Sequence, residues 1–69
     1  MRQLRLIDLL CLVVEKQLKD GQIVLINSIC YKFDKKDERF YMTSCQSRYR
    51  EIYTNDLRLN CYILEGYKD

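Results

Sequence analysis

Apolar residues change their period once along this chain, at Gly21, and that change limits the fold it can adopt. Before it, Ile7, Leu10, Cys11, Val14 and Leu18 recur at the spacing of one helical face, widened by Leu6, Leu9 and Val13. The pattern predicts a helix over residues 4–19, with Lys16 and Lys19 suited to the negative end of its dipole and Gly21 placed to end it in a left-handed conformation. After Gly21 the apolar residues come in short β-branched or alternating runs. One helix followed by strands alone is the pattern of an α+β domain. The expectation is one N-terminal helix packed on a mainly antiparallel four-stranded sheet, in the order α-β-β-β-turn-β.

The strands follow from local chemistry. Ile23 to Ile26 is a β-branched run too short for a helix, and Asn27-Ser28 is a plausible turn. Ile29 to Phe33 follows, with Ile29, Tyr31 and Phe33 on one face. Asp34 to Glu38 is a charged hairpin loop, read as a solvated tip, and Arg39 to Thr43 is a third strand that completes a meander. Residues 44–56 carry no single pattern. Tyr49, Ile52 and Tyr53 fit one face of a helical turn, yet the segment equally permits irregular strand. Leu57 to Leu64 is the last strand, with Leu59, Cys61 and Ile63 alternating, and Gly66 to Asp69 is expected to fray. With 69 residues and no boundary in composition, residues 1–69 form a single domain.

Residue supply excludes most catalysis. The chain has no histidine, which removes the commonest general base and every nucleophile pair built on it. Its two glycines sit in no phosphate-cradling loop, and Asp34, Asp37 and Glu38 lack calcium-loop spacing. The expectation is a protein that is not an enzyme and carries no cofactor. Cys11, Cys30, Cys45 and Cys61 are evenly spread without a close pair, so the reading is buried structural thiols rather than a metal site or disulfides. Arg2 and Arg5 ahead of apolar residues resemble a signal peptide, but Asp8 interrupts the run and Leu9 to Val14 is too short for a leader core or a membrane span. The expected location is therefore the cytoplasm, with no membrane contact. A net charge of +2 is too near balance to name nucleic acid as a partner.

One segment concentrates residue types that favour recognition. Arg48, Tyr49, Arg50, Tyr53 and Arg58 fall close together, and tyrosine and arginine are enriched at interface hot spots. The same pair of types serves single-stranded nucleic acid by stacking and phosphate contact, although Glu51 and Asp56 interleave them. The plain structural alternative is that the tyrosines cap the core and the arginines are solvated. Leu12 lies off the main helical stripe, where it is either a lone exposed residue or a contact for a second subunit. Tyr31, Phe33, Phe40 and Tyr41 are explained by cross-strand packing.

Taken in order, Ile7-Asp8-Leu9-Leu10, the Ile23–Ile26 strand, the Asn27-Ser28 turn, Ile29 to Asp34, Phe40-Tyr41 and Leu59-Asn60-Cys61-Tyr62-Ile63-Leu64-Glu65 form a motif series. In this the chain resembles short uncharacterised proteins of Firmicutes phages and prophages. Serine replaces the turn glycine of that pattern, the helix is more apolar, and the chain is far less acidic; an acidic surface suits DNA mimicry, and this chain lacks one. The resemblance implies a phage accessory protein without catalytic residues, working in a bacterial host cell. Such proteins often bind and block a host protein, as anti-CRISPR and other anti-defence inhibitors do. The function expected is thus binding of a host or phage protein. The alternatives are a small nucleic-acid-binding regulator and a structural homo-oligomer, such as a homodimer through Leu12.

Overall fold

Two residues, Asn27 and Ser28, take left-handed backbone angles (φ 51° and 70°), the requirement of a primed two-residue hairpin turn. That turn joins β2 (Ile23–Ile26) to β3 (Ile29–Asp34) and sets their antiparallel register, with Ile26 opposite Ile29 and Val24 opposite Tyr31. Serine pays a steric penalty at positive φ that glycine avoids. Ser28→Gly is therefore expected to stabilise the domain by about 1 kcal/mol, seen as a melting temperature roughly 4–8 °C higher. An unchanged or lower melting temperature would mean that the serine relieves its own strain. The next hairpin carries β3 into β4 (Arg39–Met42), with Phe33 opposite Phe40. Its tip is held by the Asp34 carboxylate, which accepts the Asp37 N–H at 3.0 Å.

The computed structural model describes residues 2–64. It confirms the α+β class and corrects the strand count, because the sheet has five antiparallel strands in the order β1-β5-β2-β3-β4. The added strand is β1 (Arg2–Arg5), and it pairs with β5 (Asn60–Ile63), the last strand, with Leu4 opposite Cys61. Residues 4 and 5, assigned to the helix from sequence, belong to this strand. The helix α1 runs over Leu6–Val14, shorter than the expected 4–19. It starts where the Asp8 carboxylate accepts the Arg5 N–H at 3.4 Å, a first-turn acid meeting the positive end of the helix.

The helix does not end at Gly21. Lys16 adopts φ 62°, and its N–H reaches the Val13 carbonyl while that of Gln17 reaches Leu12, the paired bonds of a Schellman cap. This earlier stop turns the chain so that Leu18 returns to the core at 4% exposure. Gly21 does have positive φ, but there its N–H donates to the Phe33 carbonyl beside β3.

The core lies between α1 and one face of the sheet: Leu6, Leu9, Leu18, Val24, Ile26, Tyr31, Phe33, Phe40 and Cys61 are buried. The helical stripe is rotated from the one expected. Leu6 and Leu9 face the sheet, while Ile7, Cys11 and Val14 point to solvent, Val14 at 77% exposure. Ile29, alternating with Tyr31 as expected, is nonetheless exposed at the hairpin end. The expected tail at Gly66 to Asp69 lies outside the described residues.

Candidate functional site

Residues 44–56 are neither a continuous helix nor a regular strand. The segment first closes the β4 edge: Met42 N–H donates to the Arg48 carbonyl at 2.9 Å and Arg50 N–H donates to the Phe40 carbonyl at 2.8 Å. Tyr49 stands opposite Tyr41 in an isolated bridge. The chain then passes along the covered side, where Ile52 packs against the core, and turns through Thr54–Asp56 before β5.

That path separates the five residues grouped in sequence. Arg50 is turned inward, where its Nη1 donates to the Tyr31 hydroxyl at 3.2 Å and its Nη2 lies 3.8 Å from the Asp56 carboxylate. The same carboxylate accepts the Tyr53 N–H at 3.0 Å. Arg50 therefore clamps the segment to the core. Tyr53 is 60% exposed at the mouth of the short 3-10 turn. Arg48 is exposed, and Arg58 lies at the far end of the sheet, where its carbonyl accepts from the Arg5 guanidinium at 3.4 Å. Arg48 and Tyr49 thus stay exposed along the β4 edge, while Arg50 turns inward and Tyr53 and Arg58 follow beyond it.

Tyr49 instead joins a surface that the sequence reading missed, the face of the sheet opposite the core. Register places two rows of side chains across it. One row is Gln3, Tyr62, Leu25 and Cys30; the other is Ile23, Lys32, Tyr41 and Tyr49. Among the described residues no helix lies over this face. Its apolar members Ile23, Leu25, Tyr41 and Tyr62 are half-buried by their neighbours and retain solvent-facing surface. At the β4 end the Tyr41 and Tyr49 rings meet edge to face at 5.8 Å, and the Arg39 guanidinium sits 4.2 Å from the centre of the Tyr49 ring. Contact with the Tyr41 phenol, and then with Tyr49, raises the pKa of Arg39. Period-two alternation carries the signal for this face, but only once the pairing partners are known.

A cleft of about 380 Å³ opens beside the same end, with Lys32, Tyr41, Asp20, Asp34 and Gln46 in its walls. Its acids are engaged in backbone capping, since Asp20 accepts the Lys35 N–H at 2.9 Å and Asp34 holds the hairpin tip. Leu12 is half-buried, lining a smaller cavity beside Leu18 and Ile63. The exposed apolar stripe on the helix is Ile7, Cys11 and Val14.

The thiols differ in a way their even spacing did not suggest. Cys61 is wholly buried, as a structural thiol should be, but Cys11 and Cys45 are exposed and Cys30 is half-buried. Burial pushes the Cys61 thiol up to about 11. The Ser47 hydroxyl, 3.4 Å from the Cys45 sulfur, pulls that thiol below its ordinary value, helped by backbone N–H groups and the Arg48 charge. At neutral pH Cys45 thus holds more of the reactive thiolate than Cys61. Iodoacetamide labelling followed by mass spectrometry should modify Cys45 early and Cys61 only after denaturant is added. Labelling of Cys61 in the native protein at the Cys45 rate would contradict its burial. Among the described residues no group of three or more cysteine or acidic side chains is placed to hold a metal ion.

No helix among the described residues is long and apolar enough to cross a membrane. Compared with known proteins, the chain matches no family model, no curated protein and no solved structure.

Proposed function

We propose that this chain is a small, non-catalytic accessory protein of the phage type that acts by binding a protein partner in the bacterial cytoplasm. The motif resemblance favours an inhibitor of a host defence system, an anti-CRISPR being one form. The observation that carries the binding reading is the open sheet face, where Tyr41, Tyr49 and Tyr62 combine apolar area with polar tips and Leu25 adds apolar area between them. Aromatic residues anchored on a rigid sheet are the composition of an interface centre, and Arg39 supplies a cation at its rim.

Single-stranded nucleic acid would use the same tyrosines by stacking. Arg39 already occupies one face of the Tyr49 ring and Tyr41 meets that ring edge-on, so the geometry offers a base less than it offers a side chain. The near-balanced charge points the same way.

The test is capture of partners on the tagged protein from nuclease-treated bacterial lysate, alongside Tyr49→Ala and Tyr62→Ala variants whose melting is checked. One protein recovered in stoichiometric amount by the parent chain and lost by the folded variants supports the reading. Salt-sensitive binding of a single-stranded oligonucleotide, abolished by the same variants, would replace it with the nucleic-acid reading. A concentration-dependent mass with no other partner would replace it with self-assembly.

A further inference from the structure

The two edges of the sheet are not alike. In an antiparallel ladder each residue turns both backbone groups to the same side, and the side alternates along the strand. Leu6 N–H donates to the Leu59 carbonyl at 2.9 Å, in register with the β1–β5 ladder, so Leu4 and Arg2 face β5 as well. Gln3 and Arg5 face away from it. The Arg5 N–H is capped by Asp8 and its carbonyl, at the N-cap, serves the first turn of α1, which leaves the N–H and carbonyl of Gln3 without a strand partner among the described residues. At the other edge the Phe40 carbonyl accepts the Arg50 N–H, the Met42 N–H donates to the Arg48 carbonyl and the Met42 carbonyl accepts the Cys45 N–H.

Charge and shape narrow what fits the open edge. Arg2 and Arg5 flank Gln3, and Arg58 is drawn to the same end by the Arg5 guanidinium. The acid there, Asp8, already accepts the Arg5 N–H. On the helix side of β1 lies a cavity of about 250 Å³ whose walls include Arg2, Lys19, Leu12, Leu18 and Ile63, with two cations and no acid among the described residues. A strand laid beside β1 would direct the side chain opposite Arg2 to that side of the sheet, since the Arg2 row runs through Ile63. Such a cavity suits a side chain with an apolar stem and an anionic end. A second copy would crowd its own Arg2 and Arg5 onto the same four-residue edge, and like charges at short range disfavour pairing of two such edges.

We propose that the β1 edge binds an extended acidic segment of a protein partner by strand addition. Backbone bonds form to Gln3, and a glutamate side chain enters the cavity beside Arg2 and Lys19. Main-chain bonds supply attachment, and the pocket supplies selectivity. This edge borders the open face, since Gln3 stands opposite Tyr62, but it binds through backbone groups and the helix-side cavity and not through the tyrosine rings, so its failure leaves the open-face reading standing.

The probe is an alternating glutamate–valine peptide of about six residues, with a lysine–valine peptide as control, titrated into isotopically labelled protein. The expected result is shifts at β1 amides and slowed hydrogen exchange at Gln3 with the acidic peptide alone. Gln3→Pro removes the outward N–H without removing a bond to β5, a tolerated place for proline on an edge strand. It should weaken binding roughly tenfold or more, as should Arg2→Glu, a loss equivalent to about 1.4 kcal/mol. Arg2→Glu keeps the test valid should the proline variant not fold. No shift at β1 with the acidic peptide, equal binding of both peptides, or binding indifferent to both substitutions overturns the proposal.

Discussion

Phe40→Ala should remove much of this domain's stability. Phe40 is 2% exposed, directly opposite Phe33 in the β3–β4 ladder, with the two ring centres 5.2 Å apart. Truncating a buried phenylalanine costs about 3–5 kcal/mol, because transfer energy is lost and the cavity collapses only in part. A domain of 69 residues has in total roughly 3–10 kcal/mol to lose. Urea unfolding at 25 °C should show the midpoint falling by a third or more, or no folded baseline at all. Val14→Ala, on the solvent side of α1, should stay within about 0.5 kcal/mol. A Phe40→Ala midpoint as close to the parent as that of Val14→Ala would place the core elsewhere.

Arg50→Ala is the second large expected effect, about 2–3 kcal/mol, from loss of charged hydrogen bonding to Tyr31 and of contact with Asp56 on a side chain only 19% exposed. Arg48→Ala, two residues away and exposed, should fall within about 0.5 kcal/mol. A double-mutant cycle of Arg50→Ala with Tyr31→Phe isolates the contact between them. Coupling below about 0.5 kcal/mol would show that Arg50 acts through packing alone. The pair of variants also separates structure from recognition, since lost partner binding by Arg50→Ala would report an unfastened segment and not a missing contact.

The sequence reading located the three-strand meander closely, because β-branched runs, a turn pair and a charged tip each act over a few residues. It extended α1 in both directions for two physical reasons. At the start, Arg2 to Arg5 is strand only because Cys61, far along the chain, lies opposite Leu4, and a local pattern carries no trace of that pairing. The one local clue was Arg5 followed three residues later by Asp8, the spacing of a helix-start carboxylate, which the sequence reading treated as an interruption of an apolar run. At the end, glycine was the expected terminator, whereas Lys16 accepts the left-handed angle itself. The candidate site was less legible. Arg48, Tyr49, Arg50, Tyr53 and Arg58 are neighbours in sequence, but the segment winds around the β4 edge and distributes them. Tyr41, assigned to cross-strand packing, and Tyr62, placed only within the last strand, belong with Tyr49 on the open face once the register is known.

The position of β5 between β1 and β2 has a consequence for how the chain acquires its structure. The β2–β3–β4 meander pairs residues close in sequence, so its closure entropy is small and it is suited to form early. β5 must then enter between two strands that precede it by dozens of residues, joining Leu4 on one side and Ile26 on the other through Cys61. A ribosome delivering this chain releases the meander well before Cys61, so the hydrophobic side of Val24 and Ile26 waits without its central neighbour. Completion of the sheet is thereby tied to a stretch that emerges after the meander, and the nascent protein has an interval in which a chaperone, or another strand, competes for that place.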